Sequence, residues 1–151
     1  MRVTIVGLNY RPEPTGIAPY TAGLASGLAA LGWSVKGITG FPHYPTWKIP
    51  EEYRGKRAYE EIDGVALTRL RPYMPKSPTG IRRLLVELSF GLQSVFCRWG
   101  DPDVVILVSP ALFATAVAQV KARLMPSKPV VIVWVQDLYG LGVAETGTLN
   151  G

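Results

Sequence analysis

Apolar positions along this chain fall into short runs and helical stripes that alternate with proline-rich loops. Arg2-Val3-Thr4-Ile5-Val6 is a β-branched run that predicts a strand, followed by Gly7 and a loop from Asn9 to Pro14. Ile17, Tyr20, Leu24, Leu28 and Leu31 recur at helical spacing, and Gly32 follows the last of them, as at a helix C-terminus. Trp33 to Thr39 predicts a second strand, ended by Gly40 and Pro42. Strand, loop, helix and strand make a βαβ unit.

The next stretch, Phe41 to Glu52, interleaves aromatics with Pro42, Pro45 and Pro50 and reads as a loop. Arg57 to Ile62 and Val65 to Arg71 flank Asp63-Gly64, the dipeptide that favours a tight hairpin turn. After a second proline-rich loop, Pro72 to Thr79, the segment Ile81 to Trp99 places Leu84, Leu85, Leu88, Leu92, Val95 and Phe96 on a helical stripe. Val104 to Val108 and Val130 to Val135 are continuous apolar runs, the pattern of parallel strands buried on both faces, with a helix from about Ala111 to Leu124 between them. The expected fold is α/β: a Rossmann-like, doubly wound, mostly parallel sheet with a β-hairpin insertion. In such folds ligands bind beyond the carboxyl ends of the strands. That edge would be built from the loops Leu8–Ile17, Gly40–Trp47, Ser109–Pro110 and Gln136–Gly142.

Composition narrows the class. With 151 residues, 48% hydrophobic and 18% charged, the chain suits one globular domain over 1–151. No apolar run reaches the roughly 18–20 residues needed to span a bilayer. The opening strand does not resemble a signal peptide, so a cytoplasmic protein is expected. Cys97 is the only cysteine and His43 the only histidine. Together they exclude an internal disulfide and any zinc site built on several such ligands. Cys97, among Val95, Phe96 and Trp99, reads as a small buried hydrophobe. The net charge of +5 is local: Arg69, Arg71, Lys76, Arg82, Arg83 and Arg98 face only Glu87 between Ala66 and Gly100, while the rest of the chain is balanced. Either an anionic membrane surface, with Arg82 and Arg83 facing it, or an ordinary helix with a solvated cationic side accounts for this. Nucleic acid is disfavoured, because no helix-turn-helix, RNA-binding or zinc signature accompanies the charge.

Three loops carry candidate chemistry. Thr15-Gly16 stands where the first helix begins, so its amides can hold a phosphate or a developing anion; equally, Thr15 caps the helix and Gly16 relieves a turn. Neither the Gly-x-Gly-x-x-Gly spacing nor the Lys-Ser/Thr ending of a P-loop is present, which disfavours dinucleotide and P-loop chemistry. His43 and Tyr44, on a proline-stiffened aromatic loop, suit sugar stacking and hydrogen bonding; the alternative is a loop that its aromatics anchor to the domain. Gln136 and Asp137 follow the last strand, where a carboxylate can bind hydroxyls, accept a proton or cap a helix. Asp137 has no second carboxylate at a motif-like distance, so a two-carboxylate hydrolase is not supported.

Taken in order, several segments resemble family 4 glycosyltransferases, most closely those of the colanic-acid type. The most specific runs from Ile5-Val6-Gly7-Leu8-Asn9-Tyr10 through Arg11-Pro12-Glu13-Pro14-Thr15-Gly16 to Ile17-Ala18-Pro19-Tyr20. Ile38-Thr39-Gly40-Phe41-Pro42-His43-Tyr44-Pro45, the Tyr53–Arg71 hairpin and Trp134-Val135-Gln136-Asp137-Leu138-Tyr139 follow. The resemblance implies the N-terminal, acceptor-side half of a two-domain GT-B enzyme that retains anomeric configuration and needs no metal. Thr15 and Gly16 would lie by the donor diphosphate, and His43, Tyr44, Gln136 and Asp137 would contact the acceptor, with Asp137 the candidate catalytic group. No cofactor is expected on this chain; a nucleotide-sugar donor is implied for the full-length enzyme. The partners implied are a C-terminal GT-B domain, a sugar or lipid-linked acceptor and an anionic membrane surface at the inner face of the cell membrane. Two departures stand out. Ser109 replaces the histidine many relatives carry after that strand, and Gly140 stands where proline often follows Asp-Leu-Tyr. Nothing resembles the family's paired-glutamate donor motif, and the domain's last βα elements are not evident, so the chain alone is expected to be inactive. The alternative is a stand-alone, non-catalytic module that binds a sugar or nucleotide.

Overall fold

A computed structural model describes residues 1–77 and 79–136. Six strands form one sheet: β1 (Arg2–Val6), β2 (Ser34–Gly40), β3 (Arg57–Ile62), β4 (Val65–Leu70), β5 (Val104–Ser109) and β6 (Val130–Val135), in the order β3-β4-β2-β1-β5-β6. All neighbours are parallel except β3, which pairs antiparallel with β4 through the expected hairpin. Asp63 and Gly64 both have positive φ, 51° and 74°, as a tight two-residue turn between twisted strands requires. Helices α1 (Ala18–Ala30), α2 (Ile81–Val95) and α3 (Leu112–Leu124) connect the parallel strands. The expected Rossmann-like architecture is therefore present.

Two apolar clusters hold the layers together. One joins Val3, Ile5, Val35 and Leu67 of the sheet to Ala22 and Ala25 of α1. The other joins Val6, Ile38, Leu70, Val105 and Leu107 to Val86 and Phe90 of α2 and Ala114, Ala118 and Ala122 of α3. Gly91 lets α2 and α3 approach closely, since a Cβ there would lie 2.9 Å from Ala114 Cα. Lys121 crosses the same interface and donates to the carbonyls of Val95 and Cys97, closing the C-terminal end of α2. Cys97 is buried and free, and burial pushes its thiol pKa up.

Three expectations need correcting. First, α1 packs through Ala18, Thr21, Ala22 and Ala25; of the expected positions Ile17, Leu24 and Leu28 are partly buried against the same cluster, while Tyr20 and Leu31 are exposed. Small side chains let the helix lie close to the sheet, so the larger residues mark its flank. Second, α2 ends at Val95 and buries Val86, Phe90, Gly91 and Ser94. The predicted stripe points the other way, with Leu85, Leu92 and Phe96 exposed. Third, β5 is buried but β6 is not: Val130, Ile132, Val133 and Val135 are all exposed. Among the described residues β6 is the outermost strand of the sheet, a position that an apolar run cannot reveal. The basic cluster also contracts. Arg69 is wholly buried, paired with Glu60 at 2.8 Å, and Arg71 donates to the carbonyls of Gly55 and Tyr53.

Candidate functional site

The carboxyl ends of β1, β2, β5 and β6 open into a cavity of about 460 Å³. Chain direction across the sheet reverses between β1 and β5, since β2 lies to one side of β1 and β5 to the other. Such a switch point leaves a crevice that no crossover covers, which is where open α/β sheets take ligands. Each of the four loops expected at this edge contributes to it: the first through Leu8, Asn9 and Thr15 to Ile17, the second through His43, Tyr44 and Trp47, and the others through Pro110 and Gln136.

One wall is made of loops. Gly40 leaves β2 so close to the first loop that a Cβ would meet Leu8 O at 2.7 Å, and its N–H donates to that oxygen at 2.9 Å. Beyond it the two loops are joined by Glu13, which is 4% exposed. Its Oε1 accepts the backbone N–H groups of His43 at 2.8 Å and Tyr44 at 2.9 Å, and its Oε2 accepts the Asn9 side-chain amide at 2.9 Å. Gly16 has φ of +67°, which a glycine adopts without strain, and the turn sets it beside the Tyr44 ring. Phe41 is fully buried under the Arg71 guanidinium, whereas Tyr44 and Trp47 line the cavity. One ring of the aromatic loop therefore anchors it to the domain, while two others line the cavity.

The other wall is helical. Arg83 and Glu87, one turn apart on α2, line the cavity with Pro110 and Ala111 at the start of α3. The Arg83 guanidinium lies 5.8 Å from the Trp47 ring centre. Burial raises the Glu87 pKa, opposed by the Phe113 amide and the charge of Arg83. Its bond to that amide is long, 3.4 Å. Neither α1 nor α3 has an acidic residue in its first turn or a side-chain cap, so Thr15 does not cap α1. Two helix N-termini thus border the cavity: that of α3 is met by the Glu87 carboxylate at the Phe113 amide, and that of α1 has no acidic residue in its first turn. Gln136 Nε2, at the cavity, and Ser109 Oγ, at the end of β5, are buried without a partner among the described residues.

Of the residues singled out from sequence, Thr15, Gly16, His43, Tyr44 and Gln136 come together around this space. Arg83 joins them at the cavity, while Arg82 is exposed and is not among its lining residues. Asp137 lies outside the described residues. Asn9, Glu13 and Glu87 were not anticipated. The only hint was that Glu87 is the lone acid of a basic segment. Among the described residues no group of His, Cys, Asp or Glu could hold a metal ion.

These features define a Rossmann-like α/β domain with an aromatic-lined cavity at the switch point of its sheet. The chain belongs to the glycosyl transferase 4-like domain family, whose model matches residues 15–149. It is 36% identical over 155 aligned residues to WcaI of Escherichia coli (strain K12), which is assigned by name to colanic acid biosynthesis as a glycosyl transferase. The match covers 97% of this chain and 38% of that relative, so the chain spans well under half of the relative's length.

Proposed function

We propose that this chain is the acceptor-side N-terminal domain of a retaining, metal-independent glycosyltransferase that uses a nucleotide sugar in polysaccharide or glycolipid assembly. The observation that carries this reading is the cavity, which brings aromatic rings and hydrogen-bonding side chains together beside the start of α1, where no side chain caps the helix. Rings such as Tyr44 and Trp47 stack on sugar faces, and His43, Glu87 and Gln136 supply polar atoms for hydroxyl groups. The amides of Gly16 and the start of α1 form a positive end that stabilises charge on a departing diphosphate. The donor pocket belongs to a second domain, so the chain alone binds acceptor without turning it over. The match to only 38% of the relative supports this division.

The test compares this chain with a polypeptide extended to the relative's full length, using nucleotide sugars and a membrane lipid extract. Transfer by the long form alone, insensitive to chelators, is the expected result. Turnover by the 151-residue chain would overturn the division of labour.

The proposed place of action is the cytoplasmic face of a membrane. No helix among the described residues is long and apolar enough to cross one. Instead α2 turns Ile81, Leu85, Leu92 and Phe96 outward on one side, with Arg82 and Arg98 exposed beside them. An apolar strip beside cations suits shallow insertion among anionic headgroups. Co-sedimentation with phosphatidylglycerol vesicles at low salt should be lost in Leu92→Ser/Phe96→Ser. No sedimentation of the unsubstituted chain would sink the assignment.

A further inference from the structure

We infer that Glu13 fixes the His43 imidazole in the tautomer that carries its proton on Nδ1, which leaves Nε2 as a hydrogen-bond acceptor and makes the ligand group read there a donor, such as a sugar hydroxyl. The ligand class rests on the proposed function; the tautomer does not.

The ring's surroundings decide which nitrogen holds the proton. His43 Nδ1 lies 2.8 Å from Phe41 O, and Glu13 Oε1 is 3.5 Å from the same nitrogen. A carbonyl oxygen only accepts, so a bond of that length requires Nδ1–H. The carboxylate is a second acceptor on the same side and favours the same proton. Water does not compete strongly, because the residue is only 3% exposed. The neutral ring then has one polar atom left, the lone pair of Nε2, and the residue lines the cavity.

Phe41 O alone would not hold this arrangement. The ring folds back to a carbonyl two residues earlier only because the chain turns sharply through Pro42 and His43. Glu13 Oε1 holds that turn by accepting the N–H groups of His43 and Tyr44 at 2.8 and 2.9 Å. Asn9 in turn holds the other carboxylate oxygen at 2.9 Å. Glu13 is therefore a positioning residue: it acts on the ligand through the orientation of the imidazole. The consequence is a filter. A hydroxyl can donate to Nε2, whereas a fully ionised phosphate oxygen or a carboxylate meets a lone pair and is repelled.

Because His43 is the only histidine, a long-range ¹H–¹⁵N spectrum of the labelled chain shows one imidazole pattern. Recorded where histidine is neutral, it should show a protonated Nδ1 and an unprotonated Nε2, the reverse of the preference of a free histidine side chain in water. A protonated Nε2 in the unsubstituted chain overturns the inference at once. Glu13→Ala should move the pattern toward the averaged shifts of an unconstrained ring. Glu13→Gln, which keeps an oxygen for the two backbone donors, should restore it. An unchanged pattern in folded Glu13→Ala removes the positioning role, and Glu13→Asp replaces that variant should it not fold. Methyl glucoside added until the cavity amide signals move should also shift Nε2, while sulfate, an anion with no O–H to donate, should not. Occupancy by the glucoside with Nε2 unmoved counts against the ligand assignment. Failure of the glucoside to occupy the cavity counts against the proposed function and leaves the tautomer result standing.

Discussion

The two walls of the cavity are built on opposite plans. Loops ordinarily supply adaptable groups on a rigid scaffold, yet here the loop wall is the fixed one. Glu13 gathers three donors from two loops into a buried cluster, and Gly40 brings the bases of those loops into backbone contact. The helical wall has a rigid frame, with α2 and α3 in close contact at Gly91 and Ala114. Its carboxylate is held less firmly: the bond that Glu87 makes to the Phe113 amide is long, 3.4 Å. The loop wall is thus fixed by buried hydrogen bonds, while the helical wall presents a carboxylate with a long, weak one.

Removing the loop clamp should produce the largest effect. Glu13→Ala strands the N–H groups of His43 and Tyr44 and the Asn9 amide in a nearly water-free place. With each stranded buried donor costing about 1–3 kcal/mol, and water admitted from the cavity offsetting part, a loss of about 3 kcal/mol is expected in urea unfolding. Gly40→Ala should follow at about 2 kcal/mol, because its Cβ would press on a backbone oxygen that cannot swing away. Both should also displace the His43 and Tyr44 amide signals. A Glu13→Ala chain as stable as the original would remove the contrast between the walls.

Gly91→Ala probes the frame of the other wall. The new methyl meets Ala114 Cα at 2.9 Å, but alanine favours the helix by about 1 kcal/mol over glycine, so the net loss should be about 1 kcal/mol. The informative readout is spatial: signals from α2 and α3 should move while those of His43 stay in place. Movement of both sets would mean that the walls are coupled.

The same contrast separates what could be read in the sequence from what could not. β1, β2 and the hairpin follow from local pattern, since β-branched runs and Asp63-Gly64 act within a few residues. The packing side of α1 was hidden because alanines and a threonine make the contact, and a search for large apolar side chains picks its flank. β6 has the composition of a central strand, and nothing in its own residues says that it is the outermost of the described strands. Glu13 lies in Arg11-Pro12-Glu13-Pro14, a polar, proline-rich run that looks like surface. Its burial comes from partners thirty residues away at His43 and Tyr44, which no local pattern links. The loops at the ligand edge were therefore legible as places, and Thr15, Gly16, His43 and Tyr44 as members. The carboxylate that holds them was not.

Glu87→Gln should have the smallest effect on stability, and its sign makes it useful. Burial raises the pKa of Glu87 in the folded chain, more than the Phe113 amide and Arg83 lower it. The folded state therefore holds a proton that the unfolded state gives up, across the window from the raised folded value down to the ordinary glutamate value. Within that window stability rises as pH falls, and above it the ionised carboxylate is a small burden on the fold. Replacing it with glutamine, neutral and nearly the same shape, should leave stability at low pH within about 0.5 kcal/mol. At neutral pH the variant should be equal or slightly more stable, and the pH dependence across the window should flatten. Urea midpoints measured at several pH values check this. A variant clearly less stable at neutral pH would mean that the Glu87 charge is held as firmly as that of Glu13, and the two walls would no longer differ. If they do differ, Glu87 can exchange its weak tie to the α3 amide for a ligand hydroxyl at little cost.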